Sequence, residues 1–296
     1  MRLTKKISLF AAAAAITAST AVLAAPTFIN VLTGGTSGVY YPIGVALSQL
    51  YSNGIEGSKT SVQATKASVE NLNLLQAGRG ELAFALGDSV SDAWNGVEDA
   101  GFKTPLKKIR AIAGTYPNYI QIVANAESGI KTLEDLKGKR ISVGAPKSGT
   151  ELNARAIFEA AGLSYQDMGK VEFLPYAESV ELIKNRQLDA TLQSSGLGMA
   201  AIRDLASTMK ISFVAIPAEV TAKIDNAAYE AATIPAGTYD GQDADVPTVA
   251  INNILVTHEG VSDEVAYQMT KLMFDNLDRL GTAHSAAKDI KLESAT

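Results

Sequence analysis

The chain contains no cysteine and only two histidines. Without cysteine there can be no disulfide bond, so the fold has to be stabilised by its apolar core even in an oxidising compartment. A cysteine-linked lipid anchor is excluded for the same reason. At 296 residues the chain is long enough to bury such a core, and chains of this length usually divide into two domains.

The usual signatures of catalysis and cofactor binding are also missing. His258 and His284 do not have the spacing of zinc ligands, and there is no G-x-S-x-G nucleophile elbow. Residues 207–210 match S-x-x-K, but the S-D-N and K-T-G partners of that motif are absent, so we interpret the match as chance. The glycine-rich turn at 34–38 lacks the G-x-G-x-x-G spacing of a dinucleotide site. We therefore expect no enzyme activity, no metal site and no cofactor.

Basic residues are too few and too scattered to attract polyanions. The sequence has 26 Lys and Arg against 31 Asp and Glu, with no basic run. Such a surface makes nucleic acid an unsuitable partner. Any anionic ligand has to be held by a local site, because the overall field of an acidic protein repels it.

The N-terminal sequence is typical of an export signal. Arg2, Lys5 and Lys6 form a basic region, an apolar stretch follows from 7 to 23, and Val22-Leu23-Ala24 offers small residues to a signal peptidase. The alternative is a membrane anchor, but the apolar stretch is shorter than the roughly 20 residues of a spanning helix. We predict cleavage after Ala24, export to the periplasm, and a soluble mature protein.

Short β-rich segments alternate with amphipathic helical segments along the rest of the chain. This pattern predicts an α/β fold with largely parallel sheets. A final long helix is expected from a Ser262 cap to about Leu280. Strands are expected at 28–32, 81–86, 109–113, 141–144, 171–174, 188–192 and 211–216.

Two further apolar segments are interpreted as crossings between two lobes. They are 119–123 and 250–256, and each follows a proline that we assign to a turn, Pro117 and Pro247. The predicted organisation is a signal peptide at 1–24, lobe I at 25–119 and 250–296, and lobe II at 120–249. We expect the protein to be a monomer.

Two strand–turn–helix junctions with small residues are the strongest functional feature. A helix N-terminus presents unpaired N–H groups and the positive end of its dipole, and glycine lets a ligand approach the backbone. Each junction alone could be an ordinary capped turn, but two facing junctions would bind an anion without arginine. The residues that we predict to bind ligand there are Gly35, Thr36, Tyr40, Ser148, Gly149 and Thr150.

Other candidates lie near predicted strand or helix ends. Ligands in open α/β sheets bind beyond the carboxyl ends of strands, where Asp88, Ser89, Ser194 and Ser195 fall. These residues could equally be helix caps. Ser68 is predicted as the N-cap of a helix at 69–77 and as a ligand-binding residue. Arg155, one turn into the helix that follows the second junction, is the rival candidate for an ion pair with the ligand.

Several stretches of the sequence together resemble the TAXI family. These are the extracytoplasmic solute receptors of one branch of the tripartite ATP-independent periplasmic (TRAP) transporters. The segment 85–89 departs from the Gln-x-Asp pattern that is common in that family, which puts the choice of ligand in doubt. The stretches that carry the resemblance are TGGTSGVYYP at 33–42, TKASVENL at 65–72, ELAF at 81–84, SVGAPKSGTELNAR at 142–155, IPAGTY at 234–239 and DVPTVA at 245–250.

The resemblance implies a two-lobed type II periplasmic-binding-protein fold with a hinge between the lobes. It also implies capture of a small anionic solute, such as a glutamate-like amino acid or a dicarboxylate, for TRAP subunits in the membrane driven by an ion gradient. Two alternatives stay open. The same fold could serve a periplasmic sensor that reports to a signalling partner, or an enzyme built on a two-lobed scaffold.

We predict that the exported protein begins at Ala25, because the basic region, the apolar stretch and the small residues up to Ala24 form a signal peptidase substrate. The intact mass of protein released from the periplasm would check this. A mass that still includes residues 1–24 would contradict the prediction.

Overall fold

The computed structural model describes residues 26–295, so the predicted signal peptide and its cleavage site lie outside the described residues. Most of the predicted strands are confirmed, with ends shifted by a few residues. Two strands, Ser58–Gln63 and Glu230–Ile234, were not predicted, because neither contains a run of large apolar residues. The strands are β1 Thr27–Leu32, β2 Ser58–Gln63, β3 Leu82–Leu86, β4 Ile109–Asn125, β5 Arg140–Ser142, β6 Lys170–Glu172, β7 Ala190–Ser195, β8 Ile211–Val214, β9 Glu230–Ile234 and β10 Val246–His258.

Nine α-helices alternate with these strands in the described part of the chain. The predicted final helix is broken at Asn276, so that it forms two helices, and its Ser262 cap is confirmed by a hydrogen bond from the Val265 N–H. The helices are α1 Tyr40–Gly54, α2 Ser68–Gln76, α3 Gly87–Asn95, α4 Gly149–Ala160, α5 Tyr176–Lys184, α6 Ala200–Thr208, α7 Ala218–Thr221, α8 Asp263–Phe274 and α9 Leu277–Ala283.

All ten strands listed above belong to one mixed sheet. Its order is β2-β1-β3-β10-β4-β7-β5-β6, with β8 paired to β4 and β9 paired to β10. Pairs at the two ends are parallel, whereas β10 runs antiparallel to β3, β4 and β9. The prediction of largely parallel sheets therefore holds only at the ends. The part around β1–β3 is here called the first lobe, and the part around β5–β9 the second lobe.

β4 and β10 run through both lobes. Residues of β10 pair with β3 at one end of the strand and with β9 at the other, while β4 pairs with β10 and then with β7 and β8. The two segments that we interpreted as crossings, 119–123 and 250–256, lie inside these longer strands. The predicted lobe boundaries fall inside these strands and stay a prediction.

The assignment of Pro117 and Pro247 to turns was wrong, because both lie within these strands. Proline has no N–H to give to a ladder, so it is tolerated at bulges and near strand ends. Pro117 lies next to a shift of register in the β4–β10 pairing, and Pro247 is the second residue of β10. The β4 segment around the bulge is tied by Asn253, whose side-chain N–H donates to the Tyr116 carbonyl at 2.8 Å.

Apolar side chains from helices and sheet fill three buried clusters. One packs Leu47 of α1 against Phe84 of β3, another packs Phe158 of α4 against Leu192 of β7, and a third surrounds Leu72 of α2. Within residues 26–295, no helix has both the length and the apolarity that crossing a membrane requires.

Hydrogen bonds join the two lobes. On the side of the first lobe they involve α3 and the turn that follows it. One carboxylate oxygen of Asp88 accepts from the Asn153 side-chain N–H at 2.8 Å and from the Tyr229 hydroxyl at 2.7 Å. Nearby, the Arg155 guanidinium donates to the Asp99 carbonyl at 2.9 Å. We call these contacts the interlobe latch. They join the two lobes outside the sheet.

Burial makes the latch carboxyl unusually basic. Asp88 is only 2% exposed, and this desolvation raises its pKa to about 6, although hydrogen bonds from Tyr229 and the Ser89 N–H act in the opposite direction. The folded protein therefore retains this proton at a pH where the unfolded chain, with a carboxyl pKa near 3.9, has lost it.

Because the folded protein binds the extra proton, the Asp88 contribution to stability is lost as the pH rises from about 4 to 6. We predict that Asp88→Asn removes this pH-dependent loss of stability. The free energy of unfolding of the variant, relative to the unaltered protein, should increase by up to about 3 kcal/mol between pH 4 and pH 7. Denaturant titrations at both pH values measure it, with the same substitution at exposed Asp240 as the control. A difference that does not change with pH would contradict the prediction.

Candidate functional site

A cavity of about 130 Å³ lies between the two lobes, and both lobes form its wall. Four helices begin at this wall: α1 at Tyr40, α2 at Ser68, α4 next to Ser148 and Thr150, and α5 at Tyr176. Each helix N-terminus contributes N–H groups and a partial positive charge. The cavity is therefore surrounded by the positive ends of four helix dipoles.

The first predicted junction lies on the cavity wall through its glycines and its tyrosine. Gly35 and Tyr40 line the cavity, whereas Thr36 is exposed and does not. The Tyr40 hydroxyl donates to the Asn253 side-chain oxygen at 2.5 Å, so it connects α1 to the bulged region of β4 and β10. The Tyr40 ring stacks on Phe84 with 4.9 Å between centroids, which fixes its position.

The second junction places Ser148 and Thr150 on the opposite wall. Ser148 is the N-cap of α4, because its hydroxyl accepts from the Glu151 N–H at 3.2 Å. The Thr150 hydroxyl lies 2.5 Å from that of Tyr176. This arrangement makes the threonine a positioning group for the tyrosine.

Gly149 does not itself line the cavity, and its predicted contact with ligand stays a prediction. A Cβ atom there would come within 2.7 Å of Leu86 and of the Ser68 hydroxyl, two groups of the first lobe that line the cavity. Glycine is needed at this position because the two lobes approach closely there.

The end of β7 contributes polar groups, as predicted for Ser194 and Ser195. Both line the cavity, and the Ser194 hydroxyl accepts from the Asn118 side-chain N–H at 2.8 Å. The Tyr176 hydroxyl donates to the Ser194 carbonyl at 2.6 Å. Tyr176 and Asn118 were not predicted. Tyr176 could have been found from the strand–turn–helix pattern after β6, but its turn contains proline instead of glycine and serine.

Ser68 lines the cavity, but its prediction as a helix N-cap was wrong. The residue lies inside the first turn of α2, and its hydroxyl accepts from the Leu86 N–H at 3.1 Å. Ala67 is the residue that precedes the helix, with φ of 70° and ψ of −151°. Neighbouring Lys66, which also lines the cavity, was missed because a single lysine in a turn gives no sequence signal.

Besides Thr36 and Gly149, three more predicted site residues do not line the cavity. Asp88 and Arg155 belong to the interlobe latch, and Arg155 also forms a salt bridge with buried Glu151 at 2.7 Å. Ser89 is buried beside Asp88 without lining the cavity. The sequence placed Asp88 and Ser89 correctly after β3, but it does not reveal that α3 faces the second lobe.

The cavity wall can donate many hydrogen bonds to an anion. In the described part of the chain, no aspartate or glutamate lines it, and Lys66 is its one charged side chain. Burial raises the pKa of Tyr176 to about 12 and that of Tyr40 well above the usual tyrosine value, so both hydroxyls stay protonated. They donate to Ser194 and Asn253, which leaves the N–H groups of the helix N-termini to face an anion. The arrangement favours a small anion and leaves an ammonium group without a partner.

The fold is shared with solved structures of low sequence identity. PhnD1 from Prochlorococcus marinus, solved in complex with methylphosphonate, superimposes with a TM-score of 0.57 at 12% identity, covering 90% of this chain and 92% of that one. A binding protein component of an ABC phosphonate transporter from Pseudomonas aeruginosa gives a TM-score of 0.55 at 12% identity, covering 90% and 80%.

These likenesses confirm the predicted two-lobed α/β fold of periplasmic binding proteins. At the level of sequence, the model of the NMT1-like family matches residues 31–296, which is most of the chain. The protein therefore belongs to the NMT1-like family.

Proposed function

We propose that this protein is an exported solute-binding protein that captures a small organic anion between its lobes and delivers it to a membrane transporter. The observation that carries the proposal is the convergence of four helix N-termini on a cavity whose described wall has no acidic side chain. Helix N-termini bind anions through their N–H groups and dipoles, and a two-lobed fold can close around a ligand.

The finer form of the proposal is a TAXI receptor for an ion-gradient-driven TRAP transporter, with a dicarboxylate or a glutamate-like amino acid as its solute. It rests on the sequence stretches that resemble that family. The two solved structures named above share the fold of this protein. That likeness does not distinguish transport driven by an ion gradient from transport driven by ATP. Uptake into vesicles that contain the partner membrane subunits would distinguish the sources, since a TRAP transporter requires an ion gradient and an ABC transporter requires ATP.

The proposal also describes a carrier and not a catalyst. A solute released from the purified protein and identified by mass spectrometry should be the same molecule that was added. Recovery of a chemically altered molecule would favour the alternative of an enzyme on the same scaffold.

We predict that an anion that occupies the cavity stabilises the folded protein. A ligand present at 100 times its dissociation constant adds about 2.7 kcal/mol, which for a chain of this size raises Tm by roughly 5–10 °C. A thermal-shift panel of amino acids, dicarboxylates and oxo acids, with sugars and metal cations as comparison sets, would measure this. If only sugars or cations raise Tm, the anion proposal fails.

We further predict that Thr150→Ala and Tyr176→Phe each weaken binding of the best anion from that panel by about tenfold. Each substitution removes the hydrogen bond that joins the N-termini of α4 and α5 at the cavity wall, and with it about 1 kcal/mol or somewhat more that holds their N–H groups in place for an anion. Isothermal titration calorimetry gives the dissociation constants, and Thr104→Ala at an exposed loop position is the matched control. Unchanged affinity in both cavity variants would contradict the assigned role of these hydroxyls.

A further inference from the structure

Lys66 is placed to act on a bound anion. It is exposed, lines the cavity, and makes no salt bridge with any carboxylate within residues 26–295. An unpaired ammonium group beside a cavity of hydrogen-bond donors is available to a ligand. Arg155, the basic residue of the interlobe latch, is already engaged in a salt bridge with Glu151.

The loop that carries Lys66 is strained and firmly held. Ala67 has φ of 70° and ψ of −151°, a region that is essentially restricted to glycine. The Thr65 hydroxyl accepts from the Ala67 N–H at 2.9 Å and donates to the Thr33 carbonyl at 2.7 Å. A Glu70 carboxylate oxygen accepts from the Lys66 N–H at 2.6 Å. Strained backbone held in this way is commonly found at binding sites, because the surrounding bonds maintain a geometry that function requires.

The cavity also limits the chemistry of its ligand. Its volume of about 130 Å³ is close to that of a cavity of about 150 Å³ that accommodates benzene, so the enclosed part of the ligand is compact. An ammonium group buried there would have no carboxylate partner on the described wall, and an unpaired buried charge is costly. One anionic group can be held by the helix N-termini, and a second can reach Lys66.

We infer that Lys66 is a specificity-determining residue that pairs with a second anionic group of the ligand and selects compact dicarboxylates without an ammonium group. This inference rests on the proposed function, because it concerns the same cavity. The helix N-termini favour an anion of any kind, whereas the Lys66 ammonium distinguishes two negative charges from one.

Succinate, butyrate and aspartate provide a matched test, because all three have four carbons. Butyrate lacks the second carboxylate, and aspartate adds an ammonium group. Calorimetry would be performed on the unaltered protein, on Lys66→Gln, and on Lys103→Gln, an exposed lysine of the same lobe that does not line the cavity. Tm without ligand would confirm that the variants fold.

We expect the unaltered protein to bind succinate at least tenfold more tightly than butyrate or aspartate. Lys66→Gln should weaken succinate binding about tenfold, as expected for loss of one hydrogen bond to a charged group, and should change butyrate binding less than twofold. It should also reduce the effect of salt on succinate binding, since a partly exposed ion pair is screened. Lys103→Gln should behave like the unaltered protein.

The contrary results distinguish failure of the inference about Lys66 from failure of the proposed function. Succinate binding that is unaffected by Lys66→Gln, or tighter binding of butyrate or aspartate than of succinate, would overturn the inference and leave the proposed function intact. If no organic acid, including these three, binds to the unaltered protein, the proposed function itself fails and the inference fails with it.

Discussion

The antiparallel pairing of β4 with β10 is the interaction on which the rest of the structure depends. Each lobe builds its part of the sheet on these two strands, so the strands set the distance and the direction between the lobes. The irregular pairing near Asn253 interrupts the ladder between the lobes, and the Asn253 side chain compensates by bonding to the Tyr116 carbonyl and to Tyr40. The cavity therefore lies beside the segment where the shared sheet is least regular.

The chemistry of the cavity follows from how the chain enters its helices. A sheet with helices after its strands directs several helix N-termini towards the same region, and here they surround a space between the lobes. The net negative charge of the protein does not prevent an anion from binding there, because binding depends on the groups at the cavity wall. The buried Tyr40 and Tyr176 hydroxyls stay protonated at any physiological pH, so the hydrogen bonds that they donate to Asn253 and to the Ser194 carbonyl hold the wall in place under all such conditions.

Much of the fold and half of the site could be predicted from the sequence, because the decisive signals are local. Glycine and serine at a strand–helix junction identify Gly35, Ser148 and Thr150 without any knowledge of the tertiary structure. Tyr176 follows a strand–turn–helix junction whose turn contains proline instead of glycine and serine, whereas Asn118 reaches the cavity through long-range packing, which leaves no local signature. The same limit applies to Asp88 and Arg155, whose polar character suggested ligand binding although they face the other lobe. Pro117 and Pro247 misled the prediction because proline is compatible with both a turn and an irregular strand.

The latch formed by Asp88 and Arg155 joins the two lobes through residues that do not line the cavity. In an equilibrium between open and closed forms, such contacts reduce the population of the open form, through which every solute has to enter and leave. Substitutions at such contacts can therefore alter how readily a solute is exchanged while the cavity wall, and with it the choice of cargo, stays the same.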